Sequence, residues 1–315
     1  MSVKKEEFRF DSRDGKTSLY ATAWVPEGRP RAVVQIIHGM NEYIDRYDRF
    51  ARYLAGQGFY VVGEDHLGHG KSVPEGGTFG YFAEHDAATI LVRDVHRLKK
   101  QTQEKLGERD EIPYFILGHS MGSIMLRNYL LRYGNGIDGA MILGTGTPAL
   151  PFLAGASVLT ASLMAIKGGR YVSKKLVSLT FGSYMDRIEQ PRTFYDWVTT
   201  DETELEKYVK DPLCTGFTFT VNGFNTLAEL SRRMQIKTLI TRIPKKLPVL
   251  IASGSEDPVG AYGKDPQDLY DTYLNLDMTK VTLKIYPEMR HEILNEKGKE
   301  QVFEDIYNWL KQQLS

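Results

Sequence analysis

The sequence predicts an α/β fold in which a mostly parallel, doubly wound sheet of about eight strands carries an inserted, mainly helical cap. Short apolar runs alternate with segments of helical periodicity along most of the 315 residues. Such alternation implies right-handed crossovers between parallel strands. It is interrupted once, from about residue 148 to 243. The length suits one large α/β domain with an insertion.

Eight segments are expected to form the sheet, and the later ones are short continuous runs of Val, Ile and Leu. Such runs are typical of strands buried on both faces of a parallel sheet. In chain order the predicted strands are residues 6–10, 18–25, 31–38, 59–65, 114–118, 139–144, 247–254 and 281–287.

Five core helices are expected between these strands. The last one places Val302, Ile306, Trp309 and Leu310 on one stripe, as an amphipathic helix packed on a sheet requires. The predicted helices are residues 46–56, 87–105, 121–133, 266–276 and 297–313.

Residues 148–243 are expected to be a cap inserted between two parts of the core, 1–147 and 244–315. The cap segment has no run of the parallel-strand type and is rich in aromatic residues. Its apolar part, 152–166, has about fifteen residues, too few to span a bilayer. We expect a helix there that lies over a site.

Composition excludes several classes of function. Forty basic and forty acidic residues cancel, which argues against a nucleic-acid partner. The single cysteine, Cys214, excludes an internal disulfide or a multi-cysteine metal site, and we expect a buried thiol. The first fifteen residues contain no apolar core of a signal peptide, so a cytoplasmic location is expected.

Residues 118–122, Gly-His-Ser-Met-Gly, carry the strongest functional signal. They follow an apolar strand and precede a helical segment, which is the context of the nucleophile elbow in the α/β-hydrolase fold. A serine hydroxyl needs exposure, a neighbouring base and N–H donors to become an effective nucleophile. Glycines on both sides remove side chains that would clash in the sharp turn. Ser120 is therefore the predicted nucleophile.

The base and its orienting carboxylate should follow Ser120 in the order acid, then histidine. The loop after the seventh predicted strand contains Glu256 and Asp257, and Pro258 favours Asp257 because it biases that residue towards an extended backbone. Glu256 is the alternative acid. Of seven histidines only His291 follows this loop, so His291 is the predicted general base.

The oxyanion hole needs two main-chain N–H donors. Met121, directly after the nucleophile, and Met40, on the loop after the third strand, are the expected donors. A metal site formed by Asp65, His66 and His69 is the weaker interpretation of that segment. We expect a loop in which Asp65 bonds the backbone, with no metal and no cofactor.

The motifs together resemble the monoacylglycerol lipases and lysophospholipases, a group of serine hydrolases that overlaps sequences named as serine aminopeptidases. The residues that carry this resemblance are His38-Gly39-Met40, Asp65-x-x-Gly68-x-Gly70-x-Ser72, the 118–122 pentapeptide, Asp257-Pro258 and His291-Glu292. The resemblance spans nearly the whole chain. It implies a Ser120–Asp257–His291 triad and a cap whose apolar face admits an acyl chain. Met40 departs from the small residue usual after the His-Gly pair, and its larger side chain is expected to narrow or reshape the acyl entrance.

The predicted function is a serine carboxylester hydrolase that acts through an acyl-enzyme on esters with one acyl chain, such as monoacylglycerols or lysophospholipids. The predicted substrate contacts are Phe152, Leu153, Leu159 and Trp197. Basic residues at 167, 170, 174 and 175 either meet lipid phosphates at a membrane surface or form a solvated face.

Two other functions are consistent with the sequence. A peptidase or thioesterase would use the same triad. An aminopeptidase would also need cap carboxylates for a free amine, for which Asp201, Glu202, Glu204 and Glu206 are candidates by residue type. A non-catalytic binding module is the remote alternative, since all three triad positions are filled. The sequence leaves the oligomeric state open.

Overall fold

The computed structural model describes residues 3–107 and 112–314 and contains one eight-stranded sheet. All eight predicted strands form. Their bounds are β1 Lys4–Asp11, β2 Ser18–Val25, β3 Ala32–Ile37, β4 Phe59–Glu64, β5 Tyr114–His119, β6 Gly139–Leu143, β7 Val249–Gly254 and β8 Val281–Tyr286.

The strands lie in the order β1-β2-β4-β3-β5-β6-β7-β8. The first two pairings, β1 with β2 and β2 with β4, are antiparallel, and every pairing from β4 to β8 is parallel. The carboxyl ends of the parallel strands therefore meet at one edge, where ligands bind in open α/β sheets.

Eleven α-helices connect and cover the strands in the described part of the chain. Each of the five predicted core helices is present within about two residues of its expected ends. The bounds are α1 Asp48–Gly56, α2 Ala87–Leu106, α3 Met121–Tyr133, α4 Leu150–Lys167, α5 Lys174–Phe181, α6 Glu202–Lys210, α7 Pro212–Thr215, α8 Val221–Arg233, α9 Lys237–Ile240, α10 Lys264–Leu274 and α11 Lys299–Gln313.

Helices cover both faces of the sheet, so the sheet is doubly wound. On one face α2, α3, α8 and α10 bury apolar side chains, and on the other α1 and α11 do so. Neighbouring residues of β3 alternate between the two cores, with Val33 in one and Val34 in the other. The predicted stripe of α11 is buried as expected.

Strand β8 is less buried than predicted. Tyr286 is its only buried residue, and Thr282 is exposed. The expectation of burial on both faces was wrong here because β8 lies at the edge of the sheet, beside β7 alone. Whether a strand lies at the edge depends on the order of the strands in the sheet, and a run of apolar residues does not indicate that order.

Six helices, α4 to α9, follow β6, and the chain forms no strand between Leu143 and Val249. Helix α4 has eighteen residues because it includes Leu150 and Pro151 before the predicted apolar stretch and Lys167 after it. It is thus longer than the predicted apolar stretch, and it has the length and composition of a membrane-crossing helix. Only Leu153 and Thr160 of its side chains are buried.

Candidate active site

Ser120 occupies the sharp turn between β5 and α3. Its backbone has a φ of 54° and a ψ of −121°, a conformation that costs free energy in a residue with a side chain. The N–H of Ser120 donates to the carbonyl oxygen of Leu143 on the neighbouring strand, at 3.0 Å. The turn is therefore fixed by the sheet, and the serine is held in a strained conformation of the kind found at functional sites.

The two glycines of the pentapeptide are required by close backbone contacts. A Cβ on Gly118 would overlap the main-chain carbonyl of Gly122. A Cβ on Gly122 would overlap the carbonyl oxygen of Ile37 and lie 2.6 Å from that of His38. These contacts confirm the clash expected from the sequence, and they pack the start of α3 against the end of β3.

His291 and Asp257 form a buried pair on the loops that follow β8 and β7. The ring Nδ1 of His291 lies 3.0 Å from both carboxylate oxygens of Asp257. Asp257 is fully buried and also accepts hydrogen bonds from the N–H of Val259 and the hydroxyl of Ser253. The carboxylate therefore has a fixed orientation. It contacts only Nδ1 of His291, so Nε2 takes no part in the contact with Asp257.

Glu256, the alternative acid, is exposed to solvent. Its side chain contacts the hydroxyl of the neighbouring Ser255 at 3.4 Å. The two adjacent side chains thus point in different directions as expected, and Asp257 is the carboxylate that reaches His291.

A buried network of charged groups, which the sequence analysis did not predict, connects the loops that carry the site residues. Arg46 donates two hydrogen bonds to the carboxylate of Glu292, at 2.5 and 2.8 Å, and lies 3.4 Å from Glu42. Glu42 in turn accepts from Nδ1 of His119, at 3.0 Å, and from the N–H of Gly39. Glu42 and Arg46 are only four residues apart, so this one contact of the network is local in the sequence.

The network links three loops around Ser120. His119 immediately precedes the serine, and its Nε2 lies 3.2 Å from the main-chain oxygen of His291. Burial alone would lower the pKa of His119, but the hydrogen bond and charge of Glu42 raise it. Burial opposes ionisation of Glu292, and the adjacent Arg46 nevertheless holds its pKa below the usual range. Arg46 and Glu292 therefore form an ion pair. Because Glu292 directly follows His291, this ion pair holds the loop that carries His291.

The predicted oxyanion donors, Met40 and Met121, line the same cavity as Ser120. Met121 is the first residue of α3, and Met40 lies on the loop after β3. That loop is close to the serine, because a Cβ on Gly39 would come within 2.9 Å of the Ser120 Cβ. The N–H groups of Met40 and Met121 donate no hydrogen bond to another described residue.

Ser120 and His291 open into a largely apolar cavity of about 460 Å³. All four residues predicted to contact substrate line it: Phe152, Leu153, Leu159 and Trp197. Helices α4 and α8 form one wall of the cavity. The other wall is an aromatic cluster in which Trp197 packs against His291, with ring centroids 5.2 Å apart.

The segment at 65–69 forms a hydrogen-bonded loop. Asp65 accepts from the N–H groups of Ile44 and Lys71, at 2.8 and 2.7 Å, as the sequence predicted. His66 stacks on His38, with ring centroids 3.9 Å apart. Within the described residues, no group of three or more His, Cys, Asp or Glu side chains is arranged to hold a metal ion.

Cys214 is buried as predicted, and burial raises the pKa of its thiol. Its carbonyl oxygen accepts a hydrogen bond from the side-chain amide of Asn41, at 3.1 Å. Cys214 therefore has a packing role, and its main chain helps to attach the loop after β3 to the helices above it.

Comparison with known proteins gives consistent similarities over the whole chain. The profile of the family described as Serine aminopeptidase, S33 matches residues 28–298. Human monoglyceride lipase is 26% identical over 93% of this chain and 87% of its own. The monoacylglycerol lipase of Mycolicibacterium smegmatis is 26% identical over 98% of each chain. Among solved structures, a highly thermostable carboxyl esterase from Bacillus coagulans in complex with glycerol is 28% identical, with a TM-score of 0.90 over 100% of both chains.

Proposed function

The chain belongs to the serine aminopeptidase S33 family, and we propose that it is a serine carboxylester hydrolase acting through an acyl-enzyme on esters with one acyl chain. It is an α/β-hydrolase that acts on esters, as its monoacylglycerol lipase relatives do. The observation that carries the finer proposal is the buried His291–Asp257 pair, whose histidine lines the same cavity as Ser120.

In the proposed first half-reaction, Ser120 Oγ attacks the ester carbonyl while His291 Nε2 removes its proton. The bond from Oγ to the acyl carbon forms, and the developing negative oxygen accepts from the N–H groups of Met40 and Met121. The bond between the acyl carbon and the alcohol oxygen then breaks. His291 returns the proton to the departing alcohol.

In the second half-reaction, His291 takes a proton from water, and the resulting hydroxide attacks the acyl-enzyme. The serine leaves with the proton, and a free carboxylic acid is released. Asp257 holds the imidazole in the tautomer that presents Nε2 to Ser120 and stabilises the imidazolium in both halves.

We propose that residues 148–243 are the cap and that its helices bind the acyl chain. Phe152, Leu153 and Leu159 of α4, together with Leu227 of α8, give one side of the cavity an apolar lining. A cavity of about 460 Å³ lies within the range of small-molecule sites and suits a single acyl chain.

The outer face of the cap supports transient contact with a membrane surface. Val158 and Ile166 of α4 are 69% and 75% exposed. Lys167, Lys174 and Lys175 are also exposed and flank this apolar face, where they are able to approach lipid phosphates. The membrane would then supply the lipid ester beside the cavity.

Ester substrates are favoured over peptides with a free amine. The candidate amine-binding carboxylates are engaged elsewhere: Asp201 pairs with Lys299, Glu204 with Arg49, and Glu206 with Lys210. Glu202 pairs with Arg192. None of the four lines the cavity.

Steady-state kinetics on a graded series of substrates tests the proposal. The panel consists of p-nitrophenyl esters from acetate to palmitate, a monoacylglycerol, a lysophosphatidylcholine and an aminoacyl anilide. We expect turnover of the esters, preference for a medium or long chain, and a loss of at least about a thousandfold in Ser120→Ala. Anilide turnover above ester turnover, or an active Ser120→Ala variant, would refute the proposal. A preference for acetate without lysolipid turnover would refute its lipid part alone.

A further inference from the structure

A second cavity, separate from the active site, is lined by four arginines. It has a volume of about 470 Å³ and lies between α2, α3, α8 and α9. The arginines are Arg93 of α2, Arg132 of α3, Arg233 of α8 and Arg242, which follows α9. Among the described residues, no Asp or Glu lines this cavity, and none of its lining residues also lines the active-site cavity.

Only one of the four arginines has a carboxylate partner. Arg233 donates to the carboxylate of Glu229 and, at 2.8 Å, to the hydroxyl of Thr89, so its guanidinium is held in place. Arg93, Arg132 and Arg242 are exposed, and none of them forms an ion pair with a carboxylate in the part of the chain that the structure describes. Because basic and acidic residues balance over the whole chain, this excess of positive charge is local.

The pKa of a neighbouring histidine reflects the same positive charge. The ring of His96 stacks on Tyr133, which lines the cavity, with ring centroids 3.9 Å apart. Burial is the main cause that lowers the pKa of His96 to about 4, and the charges of nearby cations, among them Lys100 and Arg132, contribute to this shift. An electrostatic potential that disfavours a cation at His96 favours an anion in the adjoining cavity.

The lining of the cavity suits a phosphate monoester. Guanidinium groups are planar donors that bind phosphate and carboxylate oxygens through paired hydrogen bonds. A phosphate monoester carries about 1.5 to 2 negative charges at neutral pH, so it offsets more of the unpaired arginine charge than a single carboxylate does. The cavity volume lies within the range of small-molecule sites, about 300–1,000 Å³. Val92, Leu131 and Leu239 give part of the wall an apolar surface for the organic portion of the ligand.

We propose that this cavity binds the phosphate group of a phosphate monoester, and that Arg93, Arg132 and Arg242 donate to its oxygens. The site is separate from the ester-hydrolysis site and does not depend on that reaction. A soluble monoester and the headgroup of phosphatidic acid both present this phosphate group, and two binding assays distinguish them.

Isothermal titration calorimetry with phenyl phosphate measures binding of a soluble monoester. Benzoate, which has the same ring and one negative charge, is the comparison ligand. Cosedimentation with phosphatidylcholine vesicles, prepared with and without phosphatidic acid, measures binding to the lipid headgroup. The variants are Arg132→Gln and Arg242→Gln, which remove a cation at an exposed position. Arg232→Gln is the matched control, because Arg232 is an exposed arginine directly before Arg233 that does not line the cavity.

We expect one phenyl phosphate to bind per chain, with higher affinity than benzoate. Arg132→Gln and Arg242→Gln should each raise the Kd for phenyl phosphate about tenfold or more, the effect of one charge-assisted hydrogen bond. Arg232→Gln should change the Kd less than about twofold, because screened surface charges contribute little.

Two results in solution would overturn the inference. One is binding of phenyl phosphate that Arg132→Gln and Arg242→Gln leave unchanged, which would place the ligand elsewhere. The other is equal weakening by Arg232→Gln, which indicates diffuse attraction to the whole surface. If phenyl phosphate does not bind, cosedimentation that requires phosphatidic acid and is lost in Arg132→Gln and Arg242→Gln alone would assign the site to the lipid headgroup. No binding in either assay, or cosedimentation that these two variants do not alter, would reject a phosphate site in this cavity.

Discussion

Replacing Glu292 by glutamine tests whether the buried ion pair holds the His291 loop in place. Glutamine has nearly the shape of glutamate and keeps an acceptor oxygen, but it removes the negative charge. Arg46 would keep its charge and lose the carboxylate to which it donates two hydrogen bonds, at 2.5 and 2.8 Å. The side chains of Arg46 and Glu292 are only 11% and 7% exposed, so water does not replace that partner.

The expected loss in the free energy of unfolding is about 3 kcal/mol. Removing one member of a buried pair costs about 3–5 kcal/mol, because it leaves a charge uncompensated in a medium of low polarity. The lower end of that range applies here, since Glu42 lies 3.4 Å from Arg46 and still offsets part of its charge.

Equilibrium unfolding in urea at pH 7, followed by tryptophan fluorescence, measures this loss. Asp268→Asn is the matched control, because it removes an exposed carboxylate that pairs with Lys264 four residues away on the same helix. That change should cost less than about 0.5 kcal/mol. A loss below about 1 kcal/mol for Glu292→Gln, or one equal to that of the control, would refute the reasoning.

Three further predictions concern the site and its supporting residues. Asp257→Asn should lower kcat about a thousandfold or more on a p-nitrophenyl ester, whereas Glu256→Gln should change it less than about twofold; comparable losses would reject Asp257 as the orienting acid. Gly122→Ala should destabilise the protein by about 1–3 kcal/mol, measured by urea unfolding, because the new Cβ meets main-chain oxygens that no side-chain rotation can move. An unchanged unfolding midpoint would count against this close packing of α3 on β3. Because Glu42 raises the pKa of His119 against the effect of burial, the protonated imidazole stabilises the fold. This stabilisation is complete below the unfolded histidine pKa of about 6.5 and is lost as pH rises through the higher folded value. The stability of wild type relative to His119→Gln should therefore fall as the pH rises above about 6.5, and a difference that does not change with pH would contradict the assignment.

Local sequence signals were sufficient for most of the sheet and for the turn at Ser120. The glycines at 118 and 122 mark a strand-to-helix turn within five residues, and the same residues clear the backbone contacts in the structure. Asp257 and His291 could be found because chain order and strand-end position restrict the choice. Their mutual contact, at 3.0 Å, is consistent with that selection.

Apart from the contact between Glu42 and Arg46, the charged network could not be predicted, because its contacts join residues that are far apart in the sequence. Arg46 and Glu292 are separated by 246 positions, and Glu42 and His119 by 77. Such pairs meet only after the sheet has brought the ends of β3, β5 and β8 to one edge. The exposure of β8 has the same origin, since it depends on the order of the strands.

The most direct test of the proposed mechanism is the site at which a fluorophosphonate reacts. The reagent phosphonylates a serine only where a base and an oxyanion hole activate the hydroxyl. Peptide mapping by mass spectrometry should find one adduct per chain on Ser120, and Ser120→Ala should carry none. An adduct on another residue, or undiminished labelling of Ser120→Ala, would contradict the assignment of Ser120 as the nucleophile.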